Sequence, residues 1–254
     1  MDFSQKLVIL NLNNYNQLIS LHKMESHQLT KEQIKLEQAN FMTKVYGWMS
    51  VALIVTGLVA YWVASTPQVA AFVFGNRLVF YGLLIAEIVC VGYIVSVINK
   101  ISSTRAISIF IGYSALNGLT MSIIFFVFTS ESIATTFLIT AGTFGAMSLY
   151  GYYTKSDLTS VGNLAFMALI GLIIASIVNL FFFNEMLYWI TTYVGVFVFV
   201  ALTAYDTQKI KKMNALGNEG TEEDKKEAIM GALTLYLDFI NLFLYLLRIF
   251  GRRK

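Results

Sequence analysis

Apolar and polar positions along this chain alternate on the scale of whole helices rather than single residues. Seven apolar stretches, near 46–65, 78–98, 106–129, 132–152, 161–183, 187–208 and 228–250, are parted by polar breaks. Twenty residues rising about 1.5 Å each cover a hydrocarbon core of about 30 Å. Lipid leaves free backbone groups unsatisfied, so each stretch predicts a spanning α-helix, and none shows the period-two pattern of a barrel strand. The expected fold is an all-α integral membrane protein, a seven-transmembrane-helix bundle over residues 42–254. Short connections predict that successive spans pack as antiparallel neighbours. The exception runs from Thr207 to Glu227, where Lys209, Lys211, Lys212, Lys225 and Lys226 mix with acids and Gly217 and Gly220 punctuate the run.

Residues 1–41 are polar and mixed in charge and lack the ordered basic, apolar and small-residue regions of a signal peptide. They are expected to form a polar N-terminal tail. The part from Lys31 to Phe41 admits a short amphipathic helix on the headgroups but reads rather as a solvated arm.

Composition removes the soluble alternative. The chain is 57% hydrophobic and 13% charged with mean hydropathy +0.65, against about 45–50% and about 25% in soluble domains. Its single proline suits long helices. Cys90, the lone cysteine, excludes an intramolecular disulfide and a multi-cysteine metal cluster. The net charge of +3 says little until its position is read. With the N-terminus inside, the tail through Lys44, Lys100, Arg105, Lys155 and the lysines of the last connection all face the cytoplasm. The opposite connections carry only Arg77, so the positive-inside rule sets an N-inside orientation. Arg248, Arg252, Arg253 and Lys254 follow a seventh span that should end outside. Either a late span tolerates them or the last segment re-enters and returns.

An ionisable group at the centre of a span costs about 2.5–3.5 kcal/mol on insertion scales, so each one is a candidate for function. Glu87 lies mid-span in LLIAEIVCVGY, Asp206 near the end of span six in LTAYDTQKI, and Asp238 at the centre of span seven in LYLDFINLF. No basic residue is expected at their depth, so these groups must be protonated, hydrogen-bonded, hydrated or bound to a cation. In span seven Gly231, Thr234, Asp238, Asn241, Tyr245 and Arg248 fall on one helical stripe that must face protein or water. Thr234 and Asn241 suit simple helix-to-helix hydrogen bonding, whereas a carboxylate is an expensive way to join helices. Asn117 and Asn179 read as interhelical hydrogen bonders, and Gly112/Gly118 and Gly142/Gly145 as close-packing sites. His22 and His27 lie in the tail and are not taken as metal ligands. The chain lacks an H-E-x-x-H motif, a P-loop and a retinal-binding lysine in its last span.

The segments LTAYDTQKIK and LTLYLDFINLFLYLLRIFG, with the acidic-basic linker between them, resemble the bacterial branch of the Bax-inhibitor-motif family. The resemblance covers about residues 42–251. It implies seven helices with the last surrounded by the other six, in a bacterial inner membrane or a related one. It also implies a pH-sensitive calcium leak in which Asp206 and Asp238 form a di-aspartyl pH sensor and Glu87 lines the pore. Family members hold one aspartate with an arginine at the cytoplasmic end of the second helix. This chain offers Lys100, with Arg105 beyond it, and lysine keeps the charge but loses the bidentate fork.

The expected mechanism is a shared proton. Two facing carboxylates cannot both ionise cheaply and titrate as a unit. Protonated, they join spans six and seven. Deprotonated, they repel, open a hydrated path and contact Ca²⁺ transiently, with Thr234, Asn241 and Tyr245 lining the way. Protons and calcium, as permeant ion, are the expected partners beside lipid, with no cofactor and no nucleic acid. The rival readings are a scaffold that modulates a membrane-bound protease or quality-control partner, and a proton-coupled transporter. No nucleophile and base pairing suggests an enzyme.

Overall fold

A computed structural model describes residues 31–214 and 217–254. Its helices are α1 (Lys31–Ser65), α2 (Pro67–Gly75), α3 (Arg77–Val97), α4 (Ser103–Met121), α5 (Ile124–Val127), α6 (Ser130–Tyr153), α7 (Thr159–Phe181), α8 (Glu185–Met213) and α9 (Glu222–Phe250). Seven are long and apolar enough to cross a membrane: α1, α3, α4 continued by α5, and α6 to α9. Leu78, Ile88, Leu180 and Phe183 are more than 70% exposed on their outer faces, which is stable only with lipid as solvent.

The ends of these helices follow from local chemistry. Pro67 occupies the first position of α2, where its missing N–H costs nothing, and Thr66 before it is extended. Asn76, Ser102, Thr129, Asn184 and Thr221 cap α3, α4, α6, α8 and α9 with side-chain oxygens that accept backbone N–H groups. The long linker expected from Thr207 to Glu227 shrinks accordingly. Lys211 and Lys212 sit in the last turn of α8, and Glu222, Glu223 and Asp224 in the first turn of α9. Each group therefore opposes the dipole of its own helix. Gly217 and Gly220, at φ 88° and 83°, supply the left-handed turns between them.

The segment 31–41 is neither a headgroup helix nor a solvated arm. It is the first part of α1, whose 35 residues exceed what the bilayer needs. This projection docks on the α8–α9 linker: Gly217 N–H donates to Glu37 Oε1 at 2.8 Å, Asn40 Nδ2 to Glu219 Oε1 at 3.0 Å, and Lys44 Nζ pairs with Asp224 at 2.7 Å. The boundary expected at 41 falls inside this helix. Residues 1–30, with His22 and His27, lie outside the described residues.

The spans do not simply pack in sequence order. α1 and α3 both pack on α4, and α6 and α7 both pack on α8, giving two three-helix units of like arrangement. α9 passes between them and is mostly buried. Four helices rather than six surround it, namely α1, α4, α6 and α8, while α3 and α7 pack outside on α4 and α8. α9 is also unbroken, so the C-terminal residues emerge on the face opposite the linker. There Thr129 N–H donates to Arg252 O at 2.9 Å and Lys254 N–H to Val127 O at 3.0 Å. The re-entrant alternative is thereby excluded.

Lipid gives helices no hydrophobic reason to associate, so close backbone approach matters more. Of the glycines expected at such sites only Gly118 serves, against Thr56 O and Val59, while Gly112, Gly142 and Gly145 face open space. Gly151 is the tightest of the others, because a methyl there would strike the Ala204 carbonyl on α8.

Gly151→Ala should lower the stability of the detergent-solubilised protein by about 1–3 kcal/mol. Gly142→Ala should be neutral or slightly stabilising, because alanine favours helix by up to ~1 kcal/mol. Thermal unfolding measures both. A tag after Lys254 should be protease-accessible only from the side opposite a tag in the α8–α9 linker.

Candidate functional site

The motif Tyr205-Asp206-Thr207-Gln208 near the inner end of α8 sends its four side chains to four different partners. Tyr205 lays its ring on Gly162 of α7, where a Cβ would overlap the ring. Thr207 turns to α6 and α1, 3.5 Å from Ser148 Oγ and 3.5 Å from the Tyr46 hydroxyl. Gln208 fastens the α6–α7 connection, accepting from Leu158 N–H at 3.0 Å and donating to Ser156 O at 2.8 Å. Asp206 faces α9, where its carboxyl is within hydrogen-bonding reach of Asp238.

Both carboxyls are removed from solvent, at 9% and 5% exposure. Among the described residues no donor reaches Asp238 Oδ2. Two ionised carboxylates offer each other only acceptors, so a contact of this kind is complete only with a proton or a cation between them. The expectation that no base shares their depth is corrected by Lys209. One turn on from Asp206, its ammonium lies close enough to bear on the Asp206 charge and sits 5.8 Å from the Tyr205 ring centroid.

The pair opens on a cavity of about 750 Å³ between α7, α8 and α9. Thr234, Asp238, Asn241 and Tyr245 line it from α9, Asp206 and Lys209 from α8, and Asn163 and Ser176 from α7. The cavity exists because α7 packs on α8 and stands off from α9. Thr234 and Asn241 do not join helices. Thr234 Oγ1 donates to Met230 O at 3.1 Å and Asn241 Nδ2 to Leu237 O at 2.8 Å, both within α9. Near the cytoplasmic face Asp157 accepts from the Thr159 hydroxyl and backbone N–H and lies 3.6 Å from Lys212. The Thr159 bonds first, and Lys212 second, hold its carboxyl below the usual carboxylate range.

Glu87 is elsewhere. From α3 it accepts from Thr120 Oγ1 at 2.5 Å and Asn117 Nδ2 at 3.4 Å, both on α4. Asn117 Oδ1 in turn accepts from the buried Tyr236 hydroxyl at 3.1 Å, which meets Thr56 Oγ1 at 2.7 Å. Tyr236 and Asp238 are two residues apart and so project from nearly opposite faces of α9. The pore-lining position expected for Glu87 is thus not beside the aspartates, and its hydrogen bonds join α3, α4, α9 and α1. Asn117 is an interhelical bonder as expected, whereas Asn179 accepts from Asn184 N–H within the α7–α8 turn.

Lys100, on the 3-10 turn after α3, and Arg105, in the first turn of α4, form no ion pair with either aspartate. α3 packs outside α4, beyond α9 from the cavity. Sequence reading passed over Lys209 and Tyr205 as well. Their signal was helical spacing, since 205, 206 and 209 fall within one turn of α8.

A family model described as "Inhibitor of apoptosis-promoting Bax1" matches residues 38–254. The chain is 53% identical over 215 residues, 84% of its length and 92% of the relative's, to "Inner membrane protein YbhL" of Escherichia coli strain K12. It is 44% identical over 227 residues, 89% of its length and 98% of the relative's, to an uncharacterized protein of Borreliella burgdorferi. A Deinococcus radiodurans protein is 37% identical over 230 residues, covering 91% and 98%. With seven spans, a buried last helix and a match over nearly all of the described residues, this multi-pass membrane protein belongs to the Bax inhibitor-1 family.

Proposed function

We propose that the protein is a pH-sensitive calcium leak pathway, gated by the proton that Asp206 and Asp238 share. The observation that carries this reading is their facing carboxyls in a mostly apolar cavity, with no donor among the described residues at Asp238 Oδ2. The groups bearing on the pair are few. α8 contributes Lys209 and Tyr205, α9 Tyr245, and α7 only the neutral Asn163 and Ser176. With a proton in place the two carboxyls hydrogen-bond and hold α8 against α9. Once it leaves, two anions repel across a low-dielectric gap and draw a cation or water.

Calcium takes six to eight oxygens, and two carboxylates supply at most four. Asn241, Tyr245, backbone carbonyls and water would complete the shell of a passing ion. Among the described residues no group of three or more His, Cys, Asp or Glu gathers as a fixed metal site. Weak coordination suits an ion in transit, which must also leave. We read the protein as non-enzymatic and without a resident cofactor. Its membrane is taken to be a bacterial inner membrane, as the name of the Escherichia coli relative has it.

A second reading, proton-coupled transport of a small solute, is favoured by size. The cavity's volume of about 750 Å³ falls in the range of about 300–1,000 Å³ typical of small-molecule sites.

In pure lipid vesicles, calcium flux should rise with pH. Below the midpoint it should fall about tenfold per pH unit, as a one-proton switch requires. Asp206→Asn and Asp238→Asn should each abolish that pH dependence. Unchanged flux in both variants refutes the leak pathway, and vesicle acidification that needs an added solute indicates the transporter instead.

A further inference from the structure

The α7–α8–α9 cavity ends in the same device on both sides. At its inner end the Tyr205 ring lies on Gly162, with the Lys209 ammonium 5.8 Å from the ring centroid. At its outer end the Tyr245 ring lies on Gly195 of α8, with the Arg248 guanidinium 5.0 Å from the ring centroid. A Cβ on either glycine would overlap the ring above it. Neither glycine has a left-handed φ, so neither is there for the backbone. Both glycines make room for a tyrosine, and the two tyrosines line the cavity that Asp206 and Asp238 also line.

A smaller pocket of about 240 Å³ lies inward of the cavity, lined by Thr159, Tyr205, Gln208, Lys209, Lys212 and Met213. It shares only Tyr205 and Lys209 with the large cavity. Those two side chains therefore stand between the two spaces. On the outer side Arg248 also lies over Tyr188, 5.5 Å from its centroid, so it bridges α8 and α9 above Tyr245.

We propose that Tyr205 with Lys209, and Tyr245 with Arg248, are the inner and outer gates of this cavity. The inference deepens the leak-pathway reading and rests on it, because it names what closes the route past Asp206 and Asp238. A glycine offers the ring above it no side chain of its own, so the ring swings about its χ1 without repacking a helix, Tyr245 giving up only its stacking on Phe199, at 5.8 Å between ring centroids. A cation above the ring holds it in place through an attraction weak enough to release. Each cation also repels an ion at the mouth of a closed gate.

The gates are testable without measuring flux. In a Cys90→Ala background, Asn241→Cys puts a thiol in the cavity between them. Its labelling by a membrane-impermeant thiol reagent, applied to one side of oriented vesicles, should be slow from both sides. Tyr205→Ala should speed labelling from the inner side alone by about tenfold, the equivalent of ~1.4 kcal/mol, and Tyr245→Ala from the outer side alone. Tyr205→Phe, which keeps the ring, should label as slowly as the parent. Gly162→Ala displaces the same ring and should act like Tyr205→Ala, which covers the case in which the larger truncation fails to fold. Unchanged rates in the Tyr205 and Tyr245 variants, or acceleration of both from one side, overturn the proposal. If flux depends on Asp206 and Asp238 while labelling ignores the tyrosines, only the gates are refuted. If labelling follows the tyrosines while flux ignores the aspartates, only the calcium reading is refuted.

Discussion

Two carboxyl groups that face each other inside the helix bundle, with no donor among the described residues to one of the four oxygens, form a contact that needs something mobile to complete it. A proton does so with a hydrogen bond and a cation does so with charge. In the proposed mechanism the separation of two helices is coupled to the occupancy of that one small site. The surrounding architecture serves to keep that contact in place. Asp206 reaches it from the helix on which α6 and α7 pack, and Asp238 from the helix that runs through the middle.

In lipid, where association gains little from burying apolar surface, the bundle is held by backbone proximity and by polar contacts at its ends. Gly118 and Gly151 let helices approach to backbone distance. At the cytoplasmic face, Glu37, Asn40 and Lys44 of α1 hold the linker and the start of α9, while Glu222 accepts from Ser103 N–H at 2.9 Å and caps α4. α9 is thus fixed at its inner end by α1 and α4 and at its outer end by the strand-like contact of 252–254 with 127–129. Its two polar faces do different work. Tyr236 joins the hydrogen-bonded set of Thr56, Asn117 and Glu87, and Asp238 faces the cavity.

Seven spans were legible because lipid imposes a length and a composition that the sequence must display, whereas the central place of the last came with the family resemblance, and four helices rather than six surround it. The stripe on α9 was legible for the same kind of reason, since Thr234, Asp238, Asn241 and Tyr245 share a face by spacing alone. Relations between helices were not. Spacing cannot say that α1 packs on α4 rather than α3, that Gly142 faces open space while Gly151 meets Ala204, or that Glu87 turns away from the aspartates. Lys209 was missed because positive charges near a span end were assigned to orientation. The side chain is long enough to serve there and at the carboxyl pair as well. The charged linker misled in the opposite way, since Lys211, Lys212, Glu222, Glu223 and Asp224 belong to helix ends whose dipoles they oppose.

The shared proton is the claim on which the rest turns, and infrared difference spectroscopy of the protein in lipid reads it directly. A carbonyl stretch of a protonated carboxyl should be present at mildly acidic pH, disappear as pH rises, and titrate at a different pH in Asp206→Asn and in Asp238→Asn alike, because the proton belongs to the pair. A band that is absent from the parent, or whose titration is unchanged in both variants, would contradict the account.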